Sequence, residues 1–184
     1  MQPWSPAQTD SVQNMEQALD AIAMAGAITK SYRRLTGREL IASTGDAVLD
    51  AQSLLNASAV VLAHDGADDP LFVYVNHAAA RLWKRPISQM IGMPSRLSAP
   101  PEHRAERTTA LALAKDAEVV TDYQGVRIAA DGTRFRIEQA VLWPVAEIGN
   151  GQGQAATFTQ WTTLGSSLDV LPIQVGNGRV GLLT

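Results

Sequence analysis

Hydrophobic residues in the first third of the chain recur every three to four positions, as on one face of an amphipathic helix. Over residues 11–35 they are Val12, Met15, Leu19, Ile22, Ile28, Tyr32 and Leu35. Ser11 is placed to cap this helix and Gly37 to end it. A second helix is predicted from Asp46, whose carboxylate can accept hydrogen bonds from the first free amides, to about Ser58. Its predicted buried residues are Val48, Ala51 and Leu55.

The spacing changes after the second helix, where short runs of β-branched and aromatic residues replace the helical pattern. Residues 59–63 and 71–75 form two such runs. The segment between them, residues 65–70, is rich in Asp, Gly and Pro, which favour turns. The pattern therefore predicts a β-hairpin.

Short helices are predicted after this hairpin. Asn76 offers a cap for a helix that Pro86 ends, and Ser88 caps a further brief turn that ends at Gly92. Residues 102–117 are rich in Ala, Leu, Glu and Arg, which favours one regular helix.

Three more strands are predicted, over residues 119–129, 134–145 and 154–162, joined by tight turns. Two strands, short helices, one longer helix and three strands follow each other in the order of a PAS domain. We therefore expect an α+β fold with a five-stranded antiparallel sheet and helices on one face. Phe135 and Ile137 alternate with charged residues, which predicts a second face that is more exposed to water.

These elements divide the chain into three parts. Residues 1–57 are expected to form an N-terminal helical extension and residues 58–162 the PAS-like core. Residues 163–184 form a tail for which two alternatives stay open, a small hairpin or a disordered extension. The tail contains Gly176, Gly178 and Gly181 in a G-x-G-x-x-G string, but a dinucleotide site needs a helix after it and only three residues follow.

Composition excludes several classes of protein. The 184 residues are 46% hydrophobic, enough for the core of one domain. The formal net charge is -3 and the basic residues are scattered, which argues against direct binding of nucleic acid. There is no cysteine, so disulfides, thiolate metal sites and a cysteinyl flavin adduct are excluded. No signal sequence or membrane span is evident, and we expect a cytoplasmic protein.

Several collinear motifs resemble those of the MEKHLA domain family. They are Ser31-Tyr32-Arg33-Arg34-Leu35-Thr36-Gly37-Arg38-Glu39-Leu40, Met93-Pro94-Ser95-Arg96-Leu97-Ser98-Ala99, Asp122-Tyr123-Gln124-Gly125-Val126-Arg127-Ile128, Gly132-Thr133-Arg134-Phe135-Arg136-Ile137-Glu138, Val141-Leu142-Trp143 and Gly153-Gln154-Ala155-Ala156-Thr157-Phe158 with Trp161. The resemblance covers residues 31–161. It implies a PAS-like fold with a role in sensing or in control of dimerisation, and it implies no settled ligand or cofactor. The chain lacks the homeodomain and zipper heptads of the plant members, so it resembles the stand-alone bacterial type.

We therefore expect a sensory module that binds a small apolar or aromatic ligand between the sheet and the short helices, and not an enzyme. The candidate ligand-binding residues are aromatic side chains that can line or fill such a pocket and arginines that can hold an anionic group: Trp83, Arg96, Tyr123, Arg127, Phe135, Trp143 and Phe158. One alternative is a ligand-free interaction module whose N-terminal helix packs on a second copy.

A small enzyme that uses Arg96, Tyr123 or a histidine is the remaining alternative. His64, His77 and His103 lack the spacing of a metal site, so no metal is predicted. His64 and His77 bracket the hairpin and can approach each other in space. Ser95 and Ser98 have no base beside them in the sequence, which favours turn hydrogen bonding over nucleophilic catalysis.

Overall fold

The computed structural model of the protein describes residues 6–105, 108–109 and 119–164. The helices are α1 (Pro6–Thr36), α2 (Ala47–Asn56), α3 (His77–Leu82) and α4 (Ile87–Met90). The strands are β1 (Val60–His64), β2 (Phe72–Val75), β3 (Val120–Ile128), β4 (Arg134–Val145), β5 (Gly153–Phe158) and β6 (Gln160–Leu164). Short 3-10 helices lie at Ser95–Ser98, Pro101–His103 and Gly149–Gly151.

The first two helices end and begin where their capping chemistry predicts. The Asp46 carboxylate accepts hydrogen bonds from the amides of Val48 and Leu49, at 2.8 and 3.0 Å, and so begins α2. Gly37 ends α1 with a φ of 69°, in the left-handed region that glycine favours. However, α1 begins at Pro6 and not at Ser11, because proline is well tolerated in the first turn of a helix.

The strands form one antiparallel sheet in the order β2-β1-β5-β4-β3. β5 and β6 pair with β4 in a single register, with Thr157 opposite Val141 and Gln160 opposite Glu138. They are therefore two segments of the last predicted strand. The break coincides with Gln139 of β4, which has a φ of 51° and interrupts the regular strand geometry. The predicted α+β fold and antiparallel sheet are confirmed, with the last strand divided in two.

One face of the sheet, here called the inner face, packs against α3 and α4. Val60, Leu62, Phe72, Phe135, Ile137 and Phe158 from the strands form a core with Ala78, Ala79, Trp83 and Met90 from the helices. Phe135 and Ile137 point into this core, as their alternation with charged residues predicts.

The opposite, outer face is covered by α1 and α2 over part of its area. Ala25, Ile28 and Tyr32 of α1 and Leu54 of α2 pack on Val61, Ala63, Tyr74, Trp143 and Val145. The prediction of a wetter second face therefore fails where α1 lies. The buried side predicted for α2 is also wrong in part, because Leu54 is buried whereas Val48 is exposed.

Two predicted segments lie wholly or largely outside the described residues. Of the helix predicted over residues 102–117, the structure describes a 3-10 turn at Pro101–His103 and helical backbone at 104–105 and 108–109. The tail lies outside from residue 165 onward. The division at residue 57 matches the loop between α2 and β1, and as a statement about domains it stays a prediction.

Candidate ligand-binding site

A cavity of about 40 Å³ lies between the inner face of the sheet and Trp83 at the end of α3. Its apolar wall includes Leu62, Phe72, Trp83, Ile137, Leu142 and Phe158, and its polar wall consists of His64, Tyr123, Arg127 and Gln154. One water molecule needs roughly 10–15 Å³ of such space, so the cavity has room for about three groups of that size. It combines an apolar chamber with a few convergent polar groups, as small-molecule sites commonly do.

The buried Trp83 side chain packs in the core between the sheet and the short helices. Its ring meets Phe135 and Phe158 edge-on, with centroids 5.1 and 6.3 Å apart. The indole Nε1 donates a hydrogen bond to the Ser98 carbonyl at 3.4 Å, and the Trp83 carbonyl accepts one from the Ala130 amide at 2.9 Å. A ligand larger than the present cavity would have to displace this ring.

The residue after Trp83 fixes the turn between β3 and β4. The Lys84 ammonium donates to the Asp131 carboxylate at 2.6 Å and to the Thr133 hydroxyl at 3.1 Å. The Lys84 hydrogen bond holds the pKa of Asp131 well below its usual range. The helix end that carries Trp83 is therefore attached to the turn that follows β3, the strand of Tyr123 and Arg127.

Two members of the polar wall, Tyr123 and Arg127, lie on β3 with Gly125 between them. Arg127 donates from Nη2 to the Tyr123 hydroxyl at 3.0 Å and from Nη1 to the Val126 carbonyl at 2.9 Å. A Cβ placed on Gly125 would lie 2.6 Å from Tyr123 Oη and 2.8 Å from Arg127 Nη1. The two side chains thus close over Gly125, and only glycine leaves room for them in this arrangement.

The charge of Arg127 is buried. The residue is 7% exposed, and the described residues place no carboxylate at ion-pair distance from its guanidinium. A buried charge that lacks an opposite charge is costly, because the lost hydration is only partly replaced by neutral acceptors. This wall of the cavity therefore favours a negatively charged group.

Two further polar side chains come from β1 and β5. His64 and Gln154 are directly opposite each other in the sheet register, and both are buried. The Gly66 amide donates to His64 Nδ1 at 3.1 Å, so a neutral His64 carries its proton on Nε2. This pair adds an imidazole and a carboxamide to the cavity wall, besides the Tyr123 and Arg127 side chains of β3.

The family model for the MEKHLA domain matches residues 22–163. The chain belongs to the MEKHLA domain family. The resemblance predicted over residues 31–161 is therefore confirmed, and the match extends into α1. No curated protein sequence matches this MEKHLA domain.

Solved PAS and LOV domains are similar to this MEKHLA domain. The PAS domain of a protein from Colwellia psychrerythraea is 15% identical, with 60% of this chain and 92% of that chain covered and a TM-score of 0.50. The Rhodobacter sphaeroides LOV protein is 16% identical, with 61% and 62% covered and a TM-score of 0.47. The LOV domain from a blue-light activated histidine kinase of Erythrobacter litoralis is 19% identical, with 58% and 95% covered and a TM-score of 0.46. The chain thus spans less than two thirds of the Rhodobacter protein, and these likenesses concern the fold.

Several residues that we selected from the sequence lie together in the MEKHLA domain. Trp83, Tyr123, Arg127 and Phe158 line the cavity. Phe135 lies behind Trp83 in the same core. Both walls of the cavity thus contain residues that the sequence singled out.

Arg96 and Trp143 lie elsewhere. Arg96 is half exposed and forms a two-pronged ion pair with Asp69, at 2.9 and 3.1 Å. Trp143 is buried on the outer face, where Nε1 donates to the Ser31 hydroxyl at 3.0 Å. Side chains alternate along β4, so Leu142 faces the cavity and Trp143 faces α1.

The histidines and serines of the sequence analysis separate in the same way. His64 lines the cavity, whereas His77 is exposed at the start of α3. Ser95 and Ser98 are buried in a 3-10 turn, and the Ser98 hydroxyl donates to the Ser95 carbonyl at 2.7 Å, which is the expected turn hydrogen bond. The glycine string of the tail lies outside the described residues.

Gln154 and Gly125 were not recognised as site residues in the sequence. Gln154 reaches the cavity only through the pairing of β5 with β1, which no local pattern reveals. Gly125 did carry a signal, because glycine inside a strand often marks a place where another group approaches the backbone closely.

Within the described ranges, no group of three or more His, Asp or Glu side chains is arranged to hold a metal ion. None of the helices in that part of the chain is both long and apolar enough to cross a membrane.

Proposed function

We propose that this MEKHLA domain is a sensory module that takes up a small ligand in the inner-face cavity and responds through the segment that packs on it. The observation that carries the proposal is the cavity itself, which joins an apolar chamber to four polar side chains within the core of a PAS-like fold. Its small volume favours a ligand of a few atoms over the aromatic ligand that the sequence suggested.

The response would pass through α3, α4 and the following 3-10 turn. These elements have four to six residues each, and Trp83 links them to the cavity through its ring and its hydrogen bond to Ser98. Short elements with few internal hydrogen bonds open more readily than a continuous sheet. A ligand that contacts Trp83 can therefore shift the equilibrium between two arrangements of this segment.

A cavity-filling variant tests the proposal. Ala156 lines the cavity, so Ala156→Leu should fill it, whereas Thr163→Leu adds an apolar side chain on the exposed β6. We expect ligand-detected NMR with a library of small metabolites to give binders for the wild type and for Thr163→Leu but not for Ala156→Leu. Binders that persist in Ala156→Leu, or their absence for the wild type, would contradict the proposal.

The alternative of a small enzyme draws support from His64, Tyr123 and Arg127, because these three side chains line one cavity. However, Tyr123 and Arg127 are hydrogen-bonded to each other in an arrangement suited to holding an anion. The same NMR spectra distinguish the two, since an enzyme would convert a bound compound into a new species.

A second function, dimerisation, is favoured by the exposed first half of α1. Residues 13–21 are all exposed, and Met15 and Leu19, one helical turn apart, are 58% and 59% exposed. A helical segment without tertiary contacts is marginally stable in water. We propose that this stripe packs on the same stripe of a second copy.

Sedimentation equilibrium of the full chain tests dimerisation. The double variant Met15→Glu, Leu19→Glu should shift the mass from dimer to monomer, while Gln13→Glu, Gln17→Glu on the same exposed segment should leave the dimer intact. A monomeric wild type would refute this second function. Truncation before Ser31 is a poorer test, because it also removes Ala25 and Ile28 from the core.

A further inference from the structure

We propose that the ligand of the inner-face cavity is a small aliphatic monocarboxylate, held through its carboxylate by Arg127 and Tyr123. This inference rests on the proposed function, since it names the chemical class of the molecule that the cavity takes up.

The charge of the site comes from Arg127. A guanidinium has five N–H donors, of which two are used, toward the Val126 carbonyl and the Tyr123 hydroxyl. Both acceptors are neutral, and among the described residues no carboxylate balances the charge. An anion that enters the cavity would supply the missing charge and accept from the remaining donors.

The geometry suits a carboxylate. Tyr123 Oη accepts from Arg127, so its own proton is available to a second acceptor in the cavity. The pair depends on Gly125, because any side chain at this position would collide with Tyr123 Oη and Arg127 Nη1. A planar carboxylate matches the fork of a guanidinium and can accept two parallel hydrogen bonds from it.

The space limits the rest of the molecule. About 40 Å³ accommodates three to four non-hydrogen atoms, by comparison with roughly 10–15 Å³ per water. Apolar side chains, among them Leu62, Phe72 and Ile137, line the rest of the cavity, which favours a methyl group over a second charge. Acetate, with four non-hydrogen atoms, fits this description, whereas phosphate has more oxygen atoms and charge than these apolar side chains can accept.

Calorimetric titration with sodium acetate at constant ionic strength tests the inference, with acetamide as the neutral molecule of the same shape and phosphate as the competing anion. We expect acetate to bind the wild type and acetamide and phosphate to bind at least about tenfold more weakly, because charge-assisted hydrogen bonds are the strongest in such a site. Arg127→Met should weaken acetate binding at least about tenfold. Arg81→Met, an exposed arginine on α3, should leave it unchanged.

Two further variants keep the test decisive if Arg127→Met does not fold, as judged by circular dichroism. Tyr123→Phe removes one donor, and Gly125→Ala displaces the pair, so both should weaken acetate relative to acetamide. Acetate binding that is unchanged in these variants, or equal binding of acetate and acetamide, would overturn the inference. Neutral compounds that bind the wild type and are lost in Ala156→Leu, without any carboxylate, would refute the inference and leave the proposed function intact. If no compound binds the wild type, both fail.

Discussion

Asn76 connects α3 with the start of β1 through one buried side chain. Its Oδ1 accepts from the amides of Ala79 and Val61, at 3.0 and 3.1 Å, and its Nδ2 donates to the Ala59 carbonyl at 2.7 Å. It therefore caps α3 and at the same time fixes the start of β1. The sequence predicts the capping role from the position of Asn76 before the helix, but the contact with β1 depends on how the hairpin packs and has no local signal.

Replacing Asn76 should be costly. Asn76→Ala leaves the amides of Val61 and Ala79 and the carbonyl of Ala59 buried without their partner, so we expect the free energy of unfolding to fall by about 2–4 kcal/mol. Asn56→Ala is the matched control, because Asn56 is exposed and its side chain bonds only within α2. Urea denaturation of both variants measures the difference, and equal losses would contradict the role given to Asn76.

Tyr74 lies on the outer face and, unlike Asn76, buries a polar group without a partner. Its hydroxyl has no hydrogen-bond partner in the described part of the chain. Burial raises the pKa of its phenol above the ordinary value, because the charged form is poorly solvated there. The unfolded chain then loses the proton at lower pH than the folded one. Ionisation of Tyr74 therefore leaves the free energy of unfolding unchanged below about pH 10 and lowers it as the pH rises further.

Tyr74→Phe should remove this dependence. We expect stability at neutral pH to be unchanged or higher by up to about 1 kcal/mol, because the phenylalanine buries no unsatisfied hydroxyl. The loss of stability between about pH 10 and pH 11 should be smaller than in the wild type. Thermal denaturation at several pH values measures both effects, and a variant that is less stable at neutral pH would contradict the absence of a partner for this hydroxyl.

Among the elements, α1 consists of two halves with different surroundings. Residues 13–21 are exposed, whereas Ala25, Ile28 and Tyr32 pack on the outer face of the sheet. The hydrophobic spacing predicts one amphipathic helix here, and the structure confirms a single α-helix. It does not reveal which half contacts the sheet, because Met15 and Leu19 belong to the same repeat as Ile28 and Tyr32.

Two alanine substitutions on this helix separate the halves. Ile28 is 0% exposed, so Ile28→Ala should lower the free energy of unfolding by about 2–4 kcal/mol through lost burial and a residual cavity. Leu19→Ala should change it by no more than about 0.5 kcal/mol when measured at a protein concentration too low for dimers. Chemical denaturation at nanomolar concentration, followed by fluorescence, checks both values. Similar losses for the two variants would mean that the first half of α1 also packs within the monomer.

The strands illustrate what local sequence can predict. The hairpin of β1 and β2 and the bounds of β4 follow from β-branched runs and turn residues, and the structure confirms them. The meeting of His64 with Gln154 follows from the pairing of β1 with β5, which are far apart in the chain. Local patterns predict the strands, but the register between distant strands depends on the packing of the whole sheet.

At the scale of the whole molecule, helices cover both faces of the sheet, but the cavity lined by Trp83 lies on the inner face. On the outer face, α1 packs on Trp143 and its neighbours in a buried core. On the inner face, Trp83 leaves a cavity beside the charge of Arg127. The sequence predicts the fold and most of the aromatic and arginine side chains around this cavity. The cavity's small volume and the separation of Trp83 from Trp143 onto opposite faces emerge only from the packed structure.

Intermolecular NOEs test most directly the claim that the inner-face cavity is a ligand site. Methyl-labelled protein with an unlabelled compound that binds the wild type, acetate according to the inference above, should give NOEs from the ligand to the methyl groups of Leu62, Ile137 and Leu142, which line the cavity. The methyl groups of Ile28 and Val145, buried on the outer face, should give none. NOEs confined to the outer face or to exposed methyl groups, or no NOE to the three cavity residues, would contradict the claim.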